Sequence, residues 1–505
     1  MRWTRCASMA SRSSRRRTSK TKEPARKALA DVPSPPVAKR KIVVDNIHGE
    51  IELSPHEWRV VNTATFQRLR SLKQLGMGHL VYPNATHSRF AHSLGVFGIM
   101  RRILGKLREL GKFLKKPADE ENLRLAALLH DVGHYPYSHL MERVDFVQLT
   151  EEEVGHGAPR EASASRVLYP DHEELGREIL EHQQDVRDAV GGVDRAREIG
   201  ALFSRLEVAH PQLSKLIHSS LDMDRLDYLL RDARAAGVPY GHIDLNYLLS
   251  NIRISPKGAL GVELKALAAA EHFLLSRHFM HRVVYYHKTI YGLEEACRQL
   301  LRRVRDSKRY DTIAADGHAI RDLCRGQRLT SFTDDYVDRI IHEAANDRQD
   351  EIIRTLACCI TSRMTPKLLG EASGLQRKGE EFHAGAFFKS RCKAELPTLA
   401  KKFGLPLGQF LLCGPKPIKL EERSALLTRT EAENLKPEER EELIRVFIPG
   451  SEEPKSIVEI EGTLIKQLSE YSYGIHRLYV ADVSPEATRR IPELKKVVKK
   501  WTHPE

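Results

Sequence analysis

No CxxC pair occurs among the seven cysteines, Cys6, Cys297, Cys324, Cys358, Cys359, Cys392 and Cys413, and their spacing forms no regular framework. That argues against a thiolate zinc site and a disulfide scaffold, and for reduced thiols in a cytosol-like compartment. An uninterrupted apolar run of about 18 residues is also missing, so no membrane-spanning helix is expected. No continuous apolar stretch follows the first arginines, so no secretory signal is expected. The phosphate-cradling GxxxxGKS loop, the GxGxxG fingerprint and any repeat at solenoid spacing are absent as well.

Acidic residues are scarce in one place only. The 505-residue chain has a formal charge of +13, and residues 1–40 hold 12 Lys/Arg against Glu23 and Asp31, so only about +3 belongs to the other 465 residues. The remainder is nearly balanced, which weakens a general nucleic-acid-binding reading of the charge. Residues 1–40 form a basic tail rich in Arg, Ser, Lys, Ala and Pro, expected to be disordered because it buries too little apolar surface to offset its ordering entropy. Its acid-free opening up to Lys22 also has the composition of an organelle transit peptide, and a start at Met9 is a third reading. A cytoplasmic location is otherwise expected. A hydrophobic content of 41% over this length is ample for two or three domains.

From Lys41 to Leu53, short β-prone runs flank His48-Gly49, as in a small hairpin. Ser54-Pro55 with Glu57 then opens a helix, and Trp58, Val61, Thr65 and Leu69 recur at helical spacing toward Gln74-Leu75-Gly76. Pro83 to Gly95 places His87, Arg89 and His92 at a loop-to-helix junction, where free backbone N–H groups suit anions; a surface position explains His87 more simply. Leu123 to Leu129 is apolar on nearly every face except Arg124, as in a helix buried all round. It delivers His130-Asp131 into the interior, with Gly133 as its stop. Taken alone, that pair reads first as a core histidine beside a capping aspartate. His134 and His139 follow, and Asp171-His172 leads another helix. Leu213 to Ala233 is expected to be one long helix carrying Asp222, Asp224, Asp227, Tyr228 and Asp232, at least one carboxylate pointing inward. Ala266 to Cys297 is helix-rich and dense in aromatic and cationic groups. Beyond Phe332 the texture is less chemical: helices, then short strands at Phe410–Cys413, Leu443–Ile448, Ser456–Ile460 and Ile475–Ala481. The fold class expected is mainly α, a helical-bundle core over 41–328 with a smaller C-terminal α+β lobe over 329–505.

His92, His130-Asp131 and Asp224 supply two imidazoles and two carboxylates from three helices, separated by gaps of 38 and 93 residues. Such gaps are natural for ligands converging at the centre of a helical bundle. Mixed nitrogen and oxygen ligation without thiolate favours a divalent ion such as Mn, Fe or Mg, with Zn or Ni as alternatives.

In this order the residues resemble the HD superfamily of metal-dependent phosphohydrolases. The closer similarity is to the sterile-alpha-motif and HD-domain type of deoxynucleoside triphosphate triphosphohydrolase and its bacterial relatives. It runs from about Lys41 to Lys288, on Phe66-Gln-Arg-Leu-Arg70, Lys73-Gln-Leu-Gly76, His87-Ser-Arg-Phe-Ala-His-Ser-Leu-Gly95, His130-Asp-Val-Gly-His134 and Asp227-Tyr228. The resemblance implies that His92, His130, Asp131 and Asp224 bind the metal. It implies that Arg89, His134, His139, His172, Arg225, Tyr228 and Arg277 surround the triphosphate. Gln74 and Leu75 then read the sugar, Leu75 crowding the 2′ carbon, while Asp232, His281 and Tyr285 lie near sugar and base. The expected reaction is attack of metal-activated water on the α-phosphorus, releasing deoxynucleoside and inorganic triphosphate. His139 or His172 would protonate the 5′ oxygen, with His134 beside them in the catalytic group.

Two departures limit the carry-over. The tail is too short and polar for a sterile-alpha-motif domain. Asn62 and Val44 replace expected contacts of a regulatory nucleotide site, while Lys41, Gln67 and Arg70 keep theirs, so an activating nucleotide with altered base preference and a vestigial site both remain open. A homo-oligomer, dimer or tetramer, is implied by the resemblance alone. The rivals are an HD-type hydrolase of another nucleotide or of a nucleic-acid phosphodiester, and a nucleic-acid-binding protein using the tail. If the tail is the anchor, deleting residues 1–40 abolishes nucleic-acid binding and its salt dependence; binding with an unchanged salt slope excludes it.

Overall fold

A computed structural model of the chain describes residues 40–109, 117–145, 166–204, 214–255, 259–310, 312–377, 383–414, 418–419, 444–451 and 453–502. The basic tail before residue 40, residues 146–165 and Leu213, the first residue of the expected long helix, lie outside them. The hairpin forms as expected: Lys41–Asp45 pairs antiparallel with Gly49–Leu53, and Gly49 takes φ +73°, a conformation that glycine adopts without strain. Asp45 Oδ1 accepts the N–H groups of Ile47 and His48, each at 2.9 Å, which orders the turn and fixes the direction of His48.

Helix Pro55–Val61 starts on a full capping box, the Ser54 side chain accepting from the Glu57 N–H while the Glu57 carboxylate accepts from the Ser54 N–H. Such a cap stabilises a helix start by about 1 kcal/mol. The helix is shorter than its periodicity suggests. It ends at Asn62, and Thr63 caps a separate turn, Ala64–Gln67, so Val61 and Thr65 lie on different elements. A cap in mid-pattern outcompetes continuation because Thr63 Oγ1 takes the Phe66 N–H.

Two helices make the centre. Arg89–Glu109 carries His92 in its first turn and then an apolar face of Leu94, Phe97, Ile99, Met100, Ile103 and Leu104. Pro117–Leu129 is buried from Leu123 onward except at Arg124, whose guanidinium lies on Glu57 and Glu120 at 2.6 and 2.9 Å. This helix stops at Leu129, four residues before Gly133. Gly133 has a different task from the expected helix stop. A Cβ there would meet the His172 carbonyl oxygen at 2.0 Å and the Gly176 nitrogen at 2.4 Å, so the glycine admits helix His172–His182 against the His130 turn. The expected long helix to Ala233 begins only at Met223 and runs to Ala236, Asp222 serving as its N-cap.

Helix Leu267–Met280, a π-turn at His281–Tyr285 and helix Lys288–Ser307 follow as one helix-rich wall. Strands Ile252–Ile254 and Leu260–Glu263 form a small sheet with Arg445–Phe447 and Lys455–Ser456. Two of the strand segments read as part of the C-terminal lobe therefore join the earlier half of the chain. The lobe's own sheet centres on Tyr471–Val480, with Lys367–Arg377 along one edge and Phe410–Cys413 along the other. Lys367–Arg377 and helix His383–Phe403 were not expected from sequence; the strand's polar alternation is faint and Pro397 interrupts the helical pattern. Period-two alternation joins the two cores: Leu478, Val480, Phe410 and Leu412 face the lobe, while Tyr479, Ala481, Leu411 and Cys413 face the main helical core. The architecture is a helical core with a small α+β lobe. No helix among the described residues is long and apolar enough to cross a membrane.

Gly133→Ala should lower thermal stability by about 3 kcal/mol or more, because backbone, which cannot swing aside, fills the space. Gly105→Ala, in a helix with nothing within 4 Å of the new methyl, should instead add about 0.5–1 kcal/mol. Paired melting curves check both signs.

Candidate metal centre and nucleotide site

His92, His130 and Asp224 converge so that one ligand atom from each lies within 4.8 Å of the others, a group that could hold a metal ion. His92 Nε2 stands 2.9 Å from Asp224 Oδ1, and His130 Nε2 stands 3.8 Å from it. Asp131 adjoins both rings, with Oδ2 3.8 Å from His92 Nε2 and Oδ1 3.3 Å from His130 Nε2. All four predicted metal residues therefore meet. Both Nε2 atoms are buried without a hydrogen-bond partner, a costly state for a polar atom and one that a cation relieves. The donor set, two imidazoles and two carboxylates, suits a divalent ion.

Each imidazole has its tautomer set from behind. His130 Nδ1 lies 2.8 Å from the Ala127 carbonyl oxygen, so it carries the proton and Nε2 keeps its lone pair. His92 Nδ1 lies 2.7 Å from Asp227 Oδ2 and donates likewise. Asp227 is wholly buried and is itself held by His48 Nε2 at 2.6 Å and by the Arg231 guanidinium at 2.8 and 2.9 Å. Arg231 continues to Asp45 at 2.9 Å, tying the ligand histidine to the hairpin turn. Burial opposes ionisation of Asp227, but Arg231, His48 and His92 together hold its carboxyl well below the usual range. Gly95 makes this approach feasible: a Cβ there would sit 1.9 Å from Asp227 Oδ1. Sequence reasoning gave Asp227 no role behind His92 and missed His48 and Arg231. The i, i+3, i+7 spacing of Asp224, Asp227 and Arg231 was the available signal; His48 offered none.

Facing the metal group stand the three histidines expected to be catalytic. The His134 and His172 rings stack with centroids 3.9 Å apart, and His139 meets them edge-on at 5.0 and 5.2 Å. They form a second group able to hold a metal ion. Glu142, not singled out by sequence, joins two of them, its Oε2 2.6 Å from His139 Nδ1 and its Oε1 3.1 Å from His172 Nδ1. Burial disfavours the charged form of His172, yet the Glu142 contact outweighs it and raises its pKa. His134, buried and beside Arg89 and His172, is pushed well below the ordinary histidine value and stays neutral. Arg89 donates to Asp131 Oδ2 at 2.7 Å and to Ser138 Oγ at 2.9 Å. Burial also opposes charge on Asp131, but Arg89 first, then His130 and His134, keep it ionised. The chain from His130 to His139 is anchored by Arg68, which donates to the carbonyls of Val132, His134 and Phe332. It also contains two non-glycine residues of positive φ, Tyr137 at +53° and Ser138 at +59°. Each costs about 1–3 kcal/mol and must be held by its surroundings.

On the far side, Tyr285 OH donates to Asp232 Oδ2 at 2.8 Å while His87 Nε2 lies 2.7 Å from Asp232 Oδ1. His87 is thus a half-enclosed member of the site and not the surface histidine that its loop position suggested. Tyr228 meets Tyr285 edge-on at 6.1 Å, and His281 packs on Tyr285 at 4.9 Å. Arg277 is buried close enough to Tyr228 for its charge to act on the phenol. Arg225 pairs with the capping Asp222. Gln74 is held by its backbone N–H on the His87 carbonyl, and its side-chain Oε1 is buried without a partner; Leu75 packs partly buried beside it. Of the regulatory candidates, Gln67 Oε1 accepts from Arg70 Nε at 2.7 Å, Arg70 lies 3.6 Å over the Phe90 ring, and Lys41 stands on the exposed first strand.

This geometry agrees with comparisons to known proteins. A family described as HD domain matches residues 89–232, and one described as HD associated region matches residues 243–342. An HD domain is thus found over residues 89–232. It is 43% identical over 115 residues to the human deoxynucleoside triphosphate triphosphohydrolase SAMHD1, covering 23% of this chain and 18% of that protein. An uncharacterized protein of Methanocaldococcus jannaschii is 34% identical over 254 residues, 50% of this chain and 47% of that one; one of Bacillus subtilis is 30% identical over 276 residues, 54% and 58%. The chain thus spans about half the length of the curated relatives it matches. Among solved structures, a phosphohydrolase of Bacteroides thetaiotaomicron superposes with TM-score 0.64 at 23% identity, covering 87% of this chain and 100% of that chain, a likeness of fold.

Asp227→Asn should weaken divalent-metal affinity about 10- to 100-fold, the scale seen when a partner behind a ligand histidine is lost. Metal titration followed by elemental analysis checks it; undiminished affinity would show that the His92 tautomer does not depend on Asp227.

Proposed function

We propose that the chain is a metal-dependent phosphohydrolase whose substrate is a deoxynucleoside triphosphate, cleaved to deoxynucleoside and inorganic triphosphate. The observation that carries this reading is the meeting of two imidazole nitrogens that lack a hydrogen-bond partner with two carboxylates, one of which is flanked by Arg89 and His134. A divalent ion bound there supplies Lewis-acid chemistry, making water nucleophilic near neutral pH and drawing charge from a phosphoryl oxygen. Arg89, buried against Asp131, is placed to lend its charge to the phosphates, with Arg225 and Arg277 beyond it. Water attacks the α-phosphorus, the bond to the 5′ oxygen breaks, and that oxygen takes a proton from Nε2 of His139 or His172. Glu142 holds Nδ1 of both rings, so Nε2 carries a proton to give only in the imidazolium form, which the Glu142 contact favours at His172 and burial disfavours at His139. Neutral His134 orders the stack.

Substrate class rests on the remaining wall. Unpartnered Gln74 Oε1 offers an acceptor to a sugar hydroxyl, Leu75 crowds the position beside it, and the Asp232–Tyr285–His281 cluster offers polar edges and aromatic faces to sugar and base. Similarity to the SAMHD1 proteins over the HD region supports the same class. We also propose that copies of the chain associate through the hairpin, where Ile42 and Val44 are 55% and 79% exposed, with Lys41, Gln67 and Arg70 near a nucleotide at that junction. One observation favours a second reading: His134, His139 and His172 can themselves hold a cation, which fits a two-metal phosphoesterase acting on another nucleotide or a nucleic-acid phosphodiester.

A dNTP panel assayed with several divalent metals, scoring triphosphate, pyrophosphate and phosphate, separates the two. The expected result is triphosphate release at one metal per chain, abolished by joint replacement of His130 and Asp131 with alanine in a folded protein. Undiminished release from that variant overturns the site; two metals per chain with diester cleavage favours the second reading.

A further inference from the structure

The turn at Tyr137–Ser138 is the most strained segment of the site. Ser138 combines φ +59° with ψ −128°, territory that glycine occupies, directly ahead of helix His139–Glu142, which carries both His139 and its partner Glu142. Something outside the turn must hold it, and one buried carboxylate takes part in this. Asp334, 2% exposed in the first turn of helix Asp334–Ala344, accepts the Tyr137 N–H on Oδ1 at 2.8 Å. Its Oδ2 accepts the Lys73 N–H at 3.0 Å and Lys73 Nζ at 3.3 Å. One turn further along the same helix, Asp338 Oδ1 accepts the Tyr137 hydroxyl at 2.6 Å. Ser138 Oγ then bridges inward, accepting from Arg89 Nε at 2.9 Å and donating to the Lys73 carbonyl at 3.1 Å. The two oxygens of Asp334 thus grip two adjoining segments, one at Lys73 and the other the turn that starts the His139 helix.

We propose that Asp334 is a positioning residue for the hydrolysis. It fixes the Gln74 segment relative to the His139–Glu142 helix by holding the strained turn from the HD associated region, without touching the candidate metal ligands. This rests on the phosphohydrolase reading above. It also gives residues 243–342 a task beyond packing, since the helix beginning at Asp334 supplies both carboxylates of the clamp.

The test uses the full chain with Asp334→Asn, which keeps one acceptor oxygen and turns the other into a donor facing Lys73. Expected is a kcat lower by about tenfold or more with KM within about threefold, because the proton donors are displaced while the phosphate contacts remain. Thermal melting should shift by only about 5 °C, and metal content should not change. Hydrogen exchange should rise in the 134–142 segment and stay level elsewhere. Ser138→Gly removes the strain that Asp334 resists, so in that background Asp334→Asn should cost about fivefold less than in the parent. A general loss of stability would make the two effects multiply. Equal losses in both backgrounds, unchanged kcat, or unchanged exchange at 134–142 each overturn the proposal. If Asp334→Asn does not fold, Tyr137→Phe loosens the same turn through Asp338 and should show the same exchange increase with a smaller kcat loss. If the parent chain hydrolyses no nucleotide, the substrate reading falls, while the exchange result still decides whether Asp334 holds the turn.

Discussion

The contact between Asp227 and His92 is the point on which the centre of this protein turns. A ligand histidine must present a lone pair inward and a proton outward, and in a dry core that requires an acceptor of fixed position behind it. Asp227 is that acceptor, and burying it demands compensation: removing one partner of such a buried charge costs about 3–5 kcal/mol. His48 and Arg231 supply the compensation, and Arg231 reaches Asp45, so the hairpin turn, the His92 helix and the Asp224 helix form one ionic unit. The metal group therefore depends on a strand segment that contributes no ligand.

Close approach is the second constraint, and two glycines set it. Gly95 leaves room for the Asp227 carboxylate against the His92 helix, and Gly133 lets the His172 helix rest on the turn that follows His130. Both lie within a few residues of a ligand. Without the first, the charge network behind His92 opens; without the second, His172 moves away from His134 and Glu142. The histidine cluster is held from a third direction, by Arg68 on the carbonyls of the turn and by Asp334 on its strained end. Three separate stretches of chain thus fix one short loop.

Much of this was legible in the sequence where the signal is local. The hairpin at His48-Gly49, the Ser54-Pro55 start, the buried helix before His130 and the Asp171 cap follow from rules that span a few residues. The four candidate metal residues, which the structure brings together, could be picked out because their types and order form a pattern. His87 was misjudged as a surface histidine, because its partner Asp232 stands 145 residues away. Glu142 was not singled out, because His172, which comes to its second oxygen, stands 30 residues on. The strand Arg445–Phe447 was assigned to its sequence neighbours, yet its parallel partner is Leu260–Glu263, which no local propensity can announce.

Sequence by itself determined the helical class of the core and the candidate ligand types, which follow from capping, periodicity and residue chemistry, while the side chains expected near phosphate, sugar and base came only from the family resemblance. Tertiary structure alone decided which aspartate stands behind His92, which histidines share a carboxylate, and which distant carboxylate restrains the Tyr137–Ser138 turn. The physical reason is common to all three. Hydrogen bonds and charges act over about 3 Å, and only the packing of helices far apart in the chain brings such groups within that range.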